Sequence, residues 1–333
     1  LSEETNKLSK DVETRKVQRL GSSSLFITLP KKWINKWGIK PGDKIIMEIS
    51  DDGTLRLIAE KVKINFNRRN IKIDIDNYKQ PIVTAIPCLY MLGYDEVFFV
   101  SKRNVDPKEF EETINYSKQL VGIEVAETTD NSIKLDCLLD TEKIGSESLL
   151  RRILNITSRK VDEIIAYLKG QNINEVQANL DDLKRIQLML LRRSIGGKYV
   201  SERDNLRNFI IVISSTIILR IYTIMNKIST FIRNSNLSQE QAKIMIEMFQ
   251  RINDLLDEII MTILFPSIKR ISNGYTIISQ LKQYYSQLNL SDLLLKNYVE
   301  DLILNLEEAL NNSVCSIFLE ELPWIERNFN SGA

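Results

Sequence analysis

The side chains with the most chemistry to offer lie near the start of the chain, and they are cations. Between Thr14 and Lys44 the charged positions are Arg15, Lys16, Arg19, Lys31, Lys32, Lys36, Lys40 and Lys44 against Asp43 alone, a local balance of +7. The whole chain of 333 residues carries a formal net charge of only +1. Charge gathered so unevenly makes a surface suited to a polyanion, and the phosphate backbone of a nucleic acid is the natural one. The bland alternative is a solvated basic face with no ligand. Because the total is almost neutral, the argument rests on where the charge sits.

The other reactive side chains offer less. No histidine is present, which removes the commonest general base and the commonest zinc ligand together. A Ser-His-Asp or Cys-His site is therefore excluded within this chain. Lysine, carboxylate and metal chemistry stay open. Cys88, Cys137 and Cys315 are far apart and form no CxxC pair. They fit a reducing compartment and are expected to be buried apolar residues. The loop Gly21-Ser22-Ser23-Ser24 lacks the GxxxxGK[ST] spacing of a phosphate loop, so nucleotide hydrolysis has no support. Asp254 and Glu258 stand four apart and share a helix face; this pair, like Glu307 and Glu308, is expected to be a solvated face. Met245, Met248 and Met261 read as core filler. With no nucleophile–base pair and no metal set, the expectation is a non-enzyme without cofactor, catalytic residues or metal ligands.

The elements that must position the cations are legible from periodicity and turn residues. Residues 14–20 and 25–29 read as strands around the Gly-Ser loop. Residues 31–37 read as a short helix, with Trp33, Ile34 and Trp37 on one face as core, entered through Pro30 and stopped by Gly38. Pro41-Gly42-Asp43 is a turn, and 44–49 with 54–59 form a hairpin through Asp51-Asp52-Gly53. Residues 14–62 thus make a small β-rich domain. Its few short strands bury little core, so a second copy is expected to complete it.

Residues 63–140 read as a linking module with strands at 71–75, 95–100, 121–127 and 132–138 and helices at 81–92 and 107–120. That order suggests a small α/β sandwich, with a ferredoxin-like arrangement as the candidate. From residue 146 the strand signals stop. Apolar spacing of three and four predicts helices at 146–169, 174–195, 203–234, 238–264, 268–287 and 291–321, in antiparallel bundles of two groups of three. The whole is a multidomain α+β chain. The uncharged run 209–219 is about half the roughly 20 residues a membrane span needs, so it is expected in a buried core helix. Residues 1–19 are polar and mixed in charge, unlike a signal peptide. A cytoplasmic protein without membrane insertion is expected.

The strand–loop–strand–LPK–helix–G–PGD–strand order of residues 15–44 resembles the AbrB/SpoVT/MazE swapped-hairpin family. The resemblance covers the domain 14–62. It implies an intertwined homodimer that binds double-stranded DNA, with Arg15, Lys16, Arg19, Ser22, Ser23 and Ser24 near the duplex and Lys31 and Lys32 flanking.

The arrangement of the full chain is similar to archaeal-type phosphate uptake regulators, which join an AbrB-like domain to a PhoU-like helical domain, here 146–325. The carrying residues are Leu92-Gly93-Tyr94-Asp95-Glu96-Val97, Leu138-Leu139-Asp140, Leu149-Leu150-Arg151-Arg152 and the run from Arg185 to Arg192. The resemblance implies a transcriptional regulator of phosphate uptake with a helical sensor, and a phosphate-transport or signalling protein as docking partner. The acidic pairs that hold metal in PhoU domains are missing: Leu180 with Lys184, Leu219 with Thr223, and Glu307 with Asn311 stand where they would be. Two further readings stay open at this point. One is a nucleoid-type architectural DNA-binding protein. The other is an interaction module acting on a transporter, or neutralising a toxin-like partner.

Overall fold

The computed structural model describes residues 14–21, 24–49, 55–59, 68–139, 144–171, 180–196, 202–234, 237–288, 290 and 292–320. Two compact units divide the chain, Leu1–Asn67 and Arg68–Ala333. The fold is multidomain α+β, with a strand-rich N-terminal part and a mostly helical remainder.

The first unit holds two antiparallel hairpins and a short helix. Strand β1 (Gln18–Leu20) pairs with β2 (Ser24–Phe26), and β3 (Ile45–Ile49) pairs with β4 (Leu55–Ala59). Helix α1 (Lys31–Trp37) lies between them. The strands expected at 14–20 and 25–29 are shorter than their patterns, because residues 14–17 and 27–30 find no ladder partner within one chain. Helix α1 has the expected bounds. Pro30 caps its start with extended backbone, and Gly38 ends it at φ +57°, where its N–H and that of Ile39 close back on Asn35 and Ile34 carbonyls. The expected turn at residues 51–53 lies outside the described residues.

The second unit begins with a four-stranded sheet. Its elements are β5 (Asn70–Asp74), α2 (Ile75–Tyr78), a 3-10 turn (Ile82–Thr84), α3 (Ile86–Met91), β6 (Glu96–Val100), α4 (Pro107–Gln119), β7 (Ile123–Thr129) and β8 (Ser132–Cys137). The sheet order is β5-β6-β8-β7, with β5 and β6 parallel and the other neighbours antiparallel. This is not the ferredoxin-like arrangement, whose element order is β-α-β-β-α-β. Here the helices precede the hairpin, so the sheet is one parallel β-α-β pair extended by a β-hairpin. The expected helix at 81–92 is broken. Pro87 sits in the first turn of α3 and has no N–H to continue a ladder back toward residue 83. One sheet face is buried: Val97, Phe99, Ile133, Leu135 and Cys137 alternate inward onto α3 and α4.

Gly122 marks the turn into β7. Its φ is +77°, and an added Cβ would lie 2.8 Å from the Leu139 Cβ and 3.2 Å from the Leu139 backbone nitrogen. Gly122→Ala therefore combines a left-handed backbone with a clash against main chain, and should lower stability by about 2 kcal/mol or more. A thermal melt of the purified variant checks this; an unchanged Tm would contradict the strain.

Six long helices follow among the described residues: α5 (Ser146–Leu168), α6 (Leu180–Gly196), α7 (Glu202–Arg233), α8 (Gln239–Leu264), α9 (Ile268–Gln287) and α10 (Leu293–Val314). A 3-10 turn, Cys315–Leu319, replaces the last part of the expected helix 291–321. The expected two groups of three share one continuous core that takes side chains from all six helices. Helix α7 packs on α5, α6 and α10, while α8 packs on α5, α9 and α10. Met245 and Met248 are buried in that core, and Met261 packs at its edge. Among the described residues, Arg203–Arg233 is the one helix long and apolar enough to cross a membrane, and 61% of its most apolar window is buried inside the protein.

The expectation for the cysteines needs correction. Cys137 is buried, and burial pushes its thiol pKa up; Cys88 and Cys315 are exposed. Cys88 lies on the outward side of α3 between the buried Ile86 and Leu89, and Cys315 begins the turn that leaves the helical core. All three are free thiols.

Candidate nucleic-acid interface

The candidate interface comprises the first hairpin and α1. The β1–β2 register puts Arg19 opposite Leu25 and Leu20 opposite Ser24. Gly21 opens the connecting loop at φ +68°, a conformation glycine adopts without a Cβ penalty. Arg15 and Lys16 lie in the segment leading into β1 and are exposed, as are Arg19 and Ser24. Ser22 and Ser23 lie outside the described residues. On α1 the lysines Lys31, Lys32 and Lys36 are exposed, while Trp33, Ile34 and Trp37 are half-buried. Those three apolar residues share a helix face as expected, yet α1 has no fully buried residue.

Among the described residues no intramolecular ion pair engages Lys16, Arg19, Lys31 or Lys32. The Lys36 ammonium lies 5.4 Å from the centre of the Trp37 ring, which steadies the side chain without neutralising it. Asp43, the acidic residue of this stretch, accepts the Lys40 backbone N–H at 2.7 Å and so braces the Pro41-Gly42 turn. Lys40 and Lys44 are exposed too. Both add positive charge to this unit beyond the residues expected near the duplex.

The unit's apolar residues are as telling as its charges. Among its described residues only Ala59 is buried. Val17, Leu25, Ile27, Met47, Ile49 and Leu55 are exposed, Ile49 at 83%. Met47 pairs with Leu57 and Ile49 with Leu55 across the second hairpin, so one face of that ribbon is an apolar surface. Among the described residues, neither hairpin packs extensively on the other or on α1. A soluble chain with its own core does not leave such a set uncovered.

The acidic pairs of the helical unit are engaged in ion pairs. Asp254 lies 3.2 Å from the Arg251 guanidinium. Glu258 lies 3.0 Å from Arg270 and also accepts the Asn273 amide. Glu307 binds Lys282, and Glu308 lies 3.8 Å from Arg220. Among the described residues no group of three or more His, Cys, Asp or Glu side chains is arranged to hold a metal ion.

The site is thus a small two-hairpin unit bearing exposed cations and an uncovered apolar face, carried on the same chain as a helical array. Residues 18–65 match the family described as antidote-toxin recognition MazE, bacterial antitoxin. No curated protein and no solved structure matches the chain. The match supports the MazE/AbrB-type reading of the N-terminal unit and points to a DNA-binding or antitoxin-type regulator; it does not extend to the helical unit.

Proposed function

We propose that this protein is a non-enzymatic transcriptional regulator that binds duplex DNA as a dimer through its N-terminal unit. The observation that carries the reading is the coincidence, in one small unit, of exposed cations with an apolar face that a single chain leaves open. A second copy would cover the apolar face and double the cationic surface. Two-fold symmetry then calls for two DNA half-sites. Arginines at positions 15 and 19 would engage phosphate or base edges, with lysines at 16, 31 and 32 flanking on phosphate. The helical array would serve as sensor or as docking surface for a phosphate-transport or signalling protein, and the physiology would be control of phosphate uptake. That link rests on resemblance alone, since a fold does not carry a function by itself.

The test is a salt titration of the full-length protein on duplex DNA from its own upstream region and on scrambled duplex. Binding that releases counterions from about six phosphates should weaken by about a thousandfold between 50 and 200 mM salt. Affinity without salt dependence would remove the cationic surface from the interface. A specific-to-scrambled ratio near one would favour an architectural protein over a regulator. Repeating the titration with inorganic phosphate tests the sensor role.

One observation favours a second reading. The matched family is described by toxin recognition, so the unit could neutralise a protein partner. Co-purification of such a partner, with no DNA retained at low salt, would select it.

A further inference from the structure

The turn Leu92-Gly93-Tyr94-Asp95 joins α3 to β6 and is gripped by two arginines. Arg192 of α6 is only 3% exposed. Its Nη1 donates to the carbonyl oxygens of Tyr90 at 3.0 Å and Tyr94 at 2.8 Å, and its Nη2 donates to Asp95 Oδ1 at 2.6 Å. The guanidinium also lies 5.2 Å from the centre of the Tyr90 ring. Arg69 holds the same turn. Its Nη1 donates to the Leu92 carbonyl at 2.6 Å, and its guanidinium lies 5.3 Å from the Tyr94 ring centre. The carbonyls of Tyr90 and Leu92 lie at the end of α3; Arg69 satisfies that of Leu92, while that of Tyr90 already accepts the Gly93 N–H at 3.0 Å and takes Arg192 as a second donor.

Asp95 links the two arginines. One carboxylate oxygen takes the Arg192 guanidinium, while the other, Oδ2, accepts the Arg69 backbone N–H at 2.9 Å. The Asp95 backbone N–H returns the contact to the Arg69 carbonyl at 2.7 Å. Arg69 immediately precedes β5 and lies two residues beyond Asn67, where the first unit ends. The carboxylate therefore has one oxygen on the helical array and one on the residue that leads into β5. Helix α3 packs directly on α6, so the link is seated in a packed contact.

We propose that this turn is a coupling clasp: through the shared carboxylate of Asp95, the position of α6 sets the position of the first residues of β5. A ligand or partner that shifts α6 then also shifts the point at which the chain enters from the hairpin unit. Arg192 is removed from water while the Asp95 side chain stays 28% exposed, and a buried charge that loses its partner is left uncompensated. Such a contact favours two discrete arrangements, closed or open, over gradual loosening. Asp95 acts here as a positioning residue. Its consequence for DNA rests on the reading proposed above, but its mechanical part does not.

Amide hydrogen exchange of the full-length protein tests the clasp without DNA. Arg192→Lys keeps the charge and loses the planar fork. Arg192 touches none of the amides of Arg69, Asp95 and Glu96, yet in this variant all three should exchange about tenfold faster, with the core amides of α8 and α10 unchanged. Asp95→Asn, made separately, should by reciprocity loosen the amides of α6 around Arg192. Faster exchange confined to α6 and α3, or acceleration spread evenly through α8 and α10, would overturn the clasp. The same variants are then titrated with DNA. A clear exchange response with unaltered DNA affinity would overturn the regulatory consequence. Absence of DNA binding in the unmodified protein would instead be a failure of the DNA-binding reading.

Discussion

Alanine at both Arg15 and Arg19 should lower affinity for duplex DNA by about a thousandfold at moderate salt. A dimer presents four such side chains, and each is worth about 1 kcal/mol or more against phosphate or a base edge. Together they supply about 4 kcal/mol, which is a factor of about a thousand. Both residues are exposed, so the variant should fold as the unmodified protein does. Fluorescence anisotropy with a labelled duplex gives the affinity, and far-ultraviolet circular dichroism gives the fold. The salt slope should fall along with the affinity if the arginines sit on phosphates, and stay nearly constant if they read bases. An affinity loss below threefold would take Arg15 and Arg19 out of the interface.

Aspartate at both Met47 and Ile49 should convert a dimer to a monomer. Within one chain these side chains are 65% and 83% exposed, so a single copy should tolerate the change with almost no effect on stability. In a symmetric pair the same positions would be covered, and four carboxylates would lose water without a partner. Burying even one such charge costs several kcal/mol. The dimer dissociation constant should therefore rise by about a thousandfold or more. Sedimentation at micromolar concentration distinguishes the outcomes. DNA affinity should fall in parallel, because two half-sites can no longer be engaged together. A double variant that stays dimeric would move the dimer contact off the second hairpin.

The two variants separate the features on which the proposed function stands. Loss of DNA binding with the dimer intact tests the cations, and loss of the dimer tests the apolar face. Neither touches the Arg192–Asp95–Arg69 contact, which belongs to the second unit.

Much of this architecture is determined locally and was legible in the residues. Helix α1 begins after Pro30 and ends at Gly38 because proline and glycine act on their own backbone, whatever packs around them. The positions of α5 to α10 follow from apolar spacing, since a helix that buries one stripe must repeat it every three to four residues. The concentration of cations between Thr14 and Lys44 needs no fold to be seen.

What only the tertiary structure decided depends on groups far apart in the chain. The order β5-β6-β8-β7 is set by which strands meet, and alternation along a strand does not name its neighbour. The exposure of Cys88 and Cys315 depends on which helix face finds a partner, not on residue type. Arg192 lies in the apolar run Met189-Leu190-Leu191 followed by Arg192-Arg193, where periodicity gives no sign that it is buried. Its burial is possible because Asp95 and two carbonyl oxygens, almost a hundred residues earlier, are held at its guanidinium. A buried charge is tolerable only where the fold has already assembled its partners, and that assembly is a property of three dimensions.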